Sequence, residues 1–229
     1  MLFALWPRLW VDPFAGVEAW LRFHLSHEHY MQYYFGRMLE VPPFPVSFPF
    51  AMTLLAVPAL PLVVCAVGAF DLSRPWLQDV GSRLLRRPAR APTPIESARA
   101  RLCLFLFISA AFPVVLIALP KTPIFGGVKH WMPGMPFLCL LGGWGIVRMA
   151  NASATLLGAR RPLARALATS LLGLGVVAPA VAATARTVAV GSAHYNELAG
   201  GIAGAADHKL TRLYWGYSSS LAFEHVNRV

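Results

Sequence analysis

Four long apolar runs decide what this chain can become: Phe48 to Phe70, Leu102 to Leu119, Trp131 to Val147, and Ala166 to Ala185. None contains Asp, Glu, Lys or Arg. About 20 such residues span the hydrocarbon core of a bilayer as a helix. A charge at the centre of such a helix would cost roughly 2.5–3.5 kcal/mol on insertion scales. In lipid each backbone N–H and C=O needs a partner within the protein, so a single open strand is excluded. The runs predict an all-α integral membrane protein of about four transmembrane helices. Composition agrees, with 57% hydrophobic and 13% charged residues among 229 and a mean hydropathy of +0.56. Prolines at positions such as Pro58, Pro113, Pro136 and Pro179 are tolerable where neighbouring helices cover the freed carbonyls.

The net charge of +10 is placed for topology. Residues 71 to 101 hold seven arginines and residues 148 to 165 hold four. The two stretches read as short loops after the first and third spans, on one side of the membrane. The positive-inside tendency makes that side cytoplasmic, with anionic lipid contact as a second use, and argues against nucleic acid as the partner. Cys65, Cys103 and Cys139 each stand alone in a span, as buried structural thiols do. The opening "MLFALWPRLWVD" lacks the basic start and cleavage site of a signal peptide, and reads as the middle of a longer protein.

This topology predicts three units: an external segment 1–47 with an interfacial helix, a four-span domain 48–185, and an external tail 186–229. Each external stretch carries a polar cluster. In "HLSHEHYMQYYFG", the reach from Pro13 to Glu40 reads as one helix stopped by Pro42 and Pro43. There His24, His27 and Glu28 share a face while His29 points away. Three uses stay open: a divalent metal, hydrogen bonds to a substrate phosphate or sugar, or interfacial packing beside Trp20, Met31 and Phe35. A tightly held metal is not expected, because spacing fixes no fourth ligand.

The second cluster is "PKTPIFGGVKHWMPGMPF". Lys121 and Lys129 are two of only three lysines, against seventeen arginines. A lysine is a compact charge suited to phosphate, and a Gly126–Gly127 turn can present N–H groups to an anion. A plain hairpin with snorkelling lysines fits as well. The third cluster is the tail "HYNELAGGIAGAADHKLTRLYWGYSSSLAFEHVN". Its Gly200, Gly201 and Gly204 match no nucleotide-binding fingerprint and suit close backbone packing. Its serines can cap a final helix starting near Leu221.

Taken in order, these segments resemble the C-terminal half of the polyprenyl-phosphate-sugar glycosyltransferases of glycosyltransferase family 39. That family includes the dolichyl-phosphate-mannose protein mannosyltransferases and the aminoarabinose transferases. "HEHYMQYYFGRMLEVPPFPVSFPF" is similar to the family's His-and-Tyr segment entering a span. "PIFGGVKHWMPGMPFLCLL" is similar to its glycine–basic–His turn, and the tail to its Tyr-Asn, Gly-Gly and Tyr-Trp-Gly stretch. The resemblance implies part of a C-type glycosyltransferase fold in a bacterial inner membrane. It implies transfer of a sugar from a polyprenyl-phosphate donor to an acceptor at the outer face.

The resemblance also implies roles. Lys129, His130 and Lys121, with Gly126 and Gly127, would serve the phosphate. His27, Glu28, His29 and Tyr30 would line the mouth, and Tyr195, Asn196 and Trp215 would shape the sugar or acceptor cleft. It implies no certain cofactor and leaves a divalent metal as an option. The family's essential acidic residue lies in a first external loop, and Asp12 lacks that setting. The expectation is therefore a fragment that lacks the catalytic half, with an upstream half of the same enzyme as partner. The rival reading is a non-catalytic membrane scaffold or lipid-binding partner. A transporter is disfavoured because no run carries an ionisable residue.

Overall fold

The computed structural model describes residues 7–25, 31–85, 93–124, 126–158, 161–186 and 194–211. The chain is an all-α membrane protein with one small hairpin. Short helices α1 (Arg8–Val11) and α2 (Pro13–Leu25) precede strands β1 (Gln32–Tyr34) and β2 (Arg37–Leu39). Then follow α3 (Phe48–Ala56), α4 (Ala59–Leu84), α5 (Pro94–Ala118), a 3-10 segment Gly127–Gly134, α6 (Met135–Leu156) and α7 (Pro162–Arg186). A 3-10 turn Glu197–Ala199 and α8 (Gly201–Asp207) close the described chain. Among the described residues, four stretches are long and apolar enough to cross a membrane: Ala59–Leu84, Pro94–Ala118, Gly127–Leu156 and Pro162–Arg186.

The helix limits follow local chemistry. Thr93 accepts from the Glu96 N–H at 3.2 Å while Glu96 accepts from the Thr93 N–H at 2.7 Å. This capping box, with Pro94 in the first turn, starts α5. The first expected span is corrected. It breaks at Val57, which Pro58 forces into an extended conformation (φ −82°, ψ 133°). The long helix then begins at Ala59 and runs past Phe70 to Leu84. The expected loops shrink too, since Arg74, Arg83, Arg99, Arg101 and Arg148 all lie on helices. Ionisable residues therefore do occur in spanning helices, contrary to the reading from the four runs.

A second correction concerns the helix expected from Pro13 to Glu40. It stops at Leu25, and residues 32–39 form an antiparallel hairpin pairing Tyr33 with Met38 and Tyr34 with Arg37. Phe35 (φ 47°) and Gly36 (φ 79°) both sit in the left-handed region, the geometry of a tight two-residue hairpin turn.

Small residues let α4 and α6 touch backbone to backbone. A Cβ on Gly68 would lie 1.8 Å from the Leu141 carbonyl oxygen, and one on Gly145 would lie 2.0 Å from that of Val64. Lipid gives no hydrophobic drive between helices, so such close packing supplies the attraction instead. Farther along, Asp71 on α4 accepts from the Trp144 indole N–H at 2.9 Å and pairs with Arg148 at 2.9 Å, both on α6. Arg99 of α5 lies over the Trp144 ring, 5.7 Å from its centroid. The carboxylate fastens α4 to α6, and Trp144 carries the contact on to α5. Leu72, Leu106 and Leu141 pack beside it as a small core.

Candidate functional site

The opposite end of the bundle gathers the polar segments around the larger core. Tyr34, Phe44, Phe48, Met52, Ile117, Ile124, Trp131, Tyr195 and Leu210 share it. Residues from the hairpin, α3, the end of α5, the 120–134 turn and the tail therefore meet in one place. Backbone bonds stitch them together. The Phe44 N–H donates to the Pro120 carbonyl at 2.8 Å, Gly36 to Lys209 at 3.2 Å, and Asn196 to Leu55 at 2.7 Å.

The 120–134 turn is shaped by its glycines. Gly126 (φ 66°) and Gly127 (φ 62°) are both left-handed, a conformation costly for residues with a Cβ. The tight 3-10 coil that follows leaves Lys129 exposed and His130 half-buried while Trp131 is fully enclosed. Phe48 meets the Trp131 ring edge-on at 6.1 Å. The indole Nε1 of Trp131 is buried with no hydrogen-bond partner among the described residues, as is His194 Nε2. Such an orphan costs about 1–3 kcal/mol, which an acceptor on water or a ligand would relieve. Lys121, directly after Pro120, is exposed.

Tyr195 and Asn196 both hold the fold together. The Tyr195 hydroxyl donates to the Thr211 carbonyl at 2.6 Å. The Asn196 amide donates to the carbonyls of Leu54 and Val57 at 2.6 and 2.5 Å. Its oxygen accepts from the N–H groups of Leu198 and Ala199 at 3.0 and 3.2 Å. An asparagine has two donors and two lone pairs, so this side chain is fully used in holding the tail to the break between α3 and α4. Gly204 behaves as its spacing implied, since a Cβ there would lie 2.1 Å from the Ala199 carbonyl oxygen.

Asp12 also has a structural task, accepting from the Ala15 N–H at 3.0 Å at the start of α2. His27, Glu28, His29, Tyr30, Trp215 and the helix expected near Leu221 lie outside the described residues. So does the metal reading that depends on His27 and Glu28. Among the described residues no cluster of three His, Cys, Asp or Glu could hold a metal.

One residue was missed. Lys209, the third lysine, is exposed beside the hairpin, its chain lying against Gly36. All three lysines therefore stand at this end, whereas Arg74, Arg83, Arg99, Arg101 and Arg148 stand toward the other. Set against protein-family models, curated proteins and solved structures, the chain matches none.

Proposed function

We propose that this chain works in a membrane glycosyltransfer reaction, holding a polyprenyl-phosphate sugar where the lysine end of the bundle meets the outer membrane surface. One observation carries the reading. The hairpin segment, the Gly–Gly–Lys–His turn and the Tyr–Asn tail are far apart in sequence, yet pack on one core at one end. These are the three segments that carry the family resemblance. A lipid-borne substrate presents its head group at that depth, which accounts for titratable and aromatic residues at the entrance to a span.

In this reading Lys129, Lys121 and Lys209 supply positive charge to the phosphate, and the glycine turn supplies N–H groups. As the lipid phosphate leaves the sugar, it gains negative charge that fixed cations stabilise. Attack on the anomeric carbon also needs a base for the acceptor. Asp12 spends one carboxylate oxygen on the Ala15 N–H at the start of α2. The arginine-rich end faces the cytoplasm, in keeping with the positive-inside rule.

The experiment is photo-crosslinking of the full chain in phosphatidylcholine vesicles with a photoactivatable polyprenyl phosphate. Labelling of peptides from 121–134 that unlabelled polyprenyl phosphate competes away supports the reading. Labelling that phosphatidylglycerol competes equally well rejects it. Labelled donor sugar in the same vesicles tests transfer. Asn196 favours the scaffold reading in one respect, since a residue assigned to the cleft is spent on the fold.

A further inference from the structure

Between α4 and α5, toward the arginine end, runs an apolar groove of about 620 Å³. Leu72, Trp76, Cys103 and Phe107 line it, and Arg101 stands among the lining residues. Ser73 also lines it, its hydroxyl donating to the Phe70 carbonyl at 2.9 Å.

Charge around this groove does not balance. Asp71, the residue before Leu72, pairs with Arg148 at 2.9 Å and lies 4.0 Å from Arg74. Arg99 stacks on the tryptophan that bonds Asp71, and Arg101 follows one half-turn later. Asp71 and Glu96 against Arg74, Arg99, Arg101 and Arg148 leave an excess of two positive charges, with Asp79 and Arg83 cancelling each other at 2.9 Å. Glu96 accepts from the Thr93 N–H at 2.7 Å and keeps its charge there.

Another helix laid in the groove would cover apolar surface but remove these guanidiniums from water without a full counter-charge, which is costly. An amphiphile with a hydrocarbon tail and an anionic head satisfies both parts. Guanidinium forks match phosphate oxygens in pairs, and basic pockets between spanning helices suit anionic head groups. We propose that the α4–α5 groove binds one anionic phospholipid, an acyl chain lying along Leu72, Cys103 and Phe107 with its phosphate on Arg101. This site is separate from the lysine end and stands or falls independently of it.

Native mass spectrometry of the full chain in detergent tests the proposal, titrating dioleoyl phosphatidylglycerol and dioleoyl phosphatidylcholine separately. Phosphatidylglycerol is expected to bind at least tenfold more tightly. Arg101→Gln should abolish most of that preference without changing phosphatidylcholine binding, and Arg101→Lys should keep part of it. Ala100→Leu, which narrows the groove, should weaken both lipids. Thermal midpoints equal to wild type establish that each variant is folded, and Arg101→Lys carries the test should Arg101→Gln fail to fold. Equal binding of the two lipids, or a preference untouched by both Arg101 variants, overturns the proposal. So does a dimer that excludes lipid and that Ala100→Leu disrupts, since a second copy would then fill the groove.

Discussion

The amide of Asn196 donates to the carbonyl of Val57 at 2.5 Å, across 139 positions of sequence. Pro58 breaks the helix at Val57, and a broken helix leaves carbonyls without their intrahelical partners. Asn196 supplies the missing donors and caps its own turn with the same side chain. Asn196→Ala would leave several buried groups unpaired at about 1–3 kcal/mol each. A loss of roughly 3 kcal/mol or more is expected in equilibrium unfolding of the detergent-solubilised chain. A loss under about 0.5 kcal/mol, the usual effect of a surface substitution, would show that the tail does not secure this break.

The Asp71–Arg148 pair joins α4 and α6, with Asp71 largely enclosed and Arg148 half exposed (side chains 15% and 46% accessible). Asp71 lies twelve residues into α4, about 18 Å along the axis at 1.5 Å per residue. Removing one partner strands the other charge. Asp71→Leu or Arg148→Leu alone should therefore destabilise more than the double substitution does relative to either single one. The double-mutant cycle in nanodiscs is expected to give a coupling of about 1 kcal/mol or more. Additivity would contradict the role assigned to the pair.

Close packing of α4 on α6 makes a position-specific claim. Gly145→Ala should cost about 1–3 kcal/mol, the usual range for overpacking, because its new Cβ meets the Val64 carbonyl oxygen. Gly143→Ala, on the same helix with nothing within 4 Å, should be neutral or slightly stabilising. Thermal unfolding of the two variants side by side decides it. Equal effects would mean that helix propensity, not contact, governs both sites.

How much of this could be read in advance depended on whether the cause was local. The spans were legible because an apolar run has few folds open to it. The hairpin was not. Its tyrosines also fit a helical face, and its pairing is completed from afar. The Tyr33 N–H donates to the Thr211 hydroxyl at 2.8 Å across 178 positions. The glycine turn was read correctly because Gly126–Gly127 carries its own backbone signal. The capping role of Asn196 was legible, since Asn before Glu197 is the pattern of a helix cap. Lys209 was passed over because nothing near it in sequence shows that the tail returns to the hairpin. The Asp71–Trp144–Arg148 contact could have been found by combining two facts. Each residue sits at the edge of an apolar run, and the topology puts those edges on one side.

The proposed sidedness rests on the arginine distribution and the positive-inside tendency. Single cysteines at Thr122 and at Leu157, placed in a background lacking Cys65, Cys103 and Cys139, should label from opposite faces of sealed vesicles. The Thr122 site should react from the outside of intact cells. Labelling of both from one side would reject the topology.

Binding of polyprenyl phosphate to the full chain in phosphatidylcholine nanodiscs tests the central claim most directly, because it isolates the proposed phosphate contact at Lys129. A charge-assisted hydrogen bond contributes about 1.5–3 kcal/mol, and each 1.4 kcal/mol is tenfold in affinity. Lys129→Ala is therefore expected to weaken binding by roughly ten- to a hundredfold, and Lys129→Arg by less. Equal dissociation constants for wild type and Lys129→Ala would contradict the account.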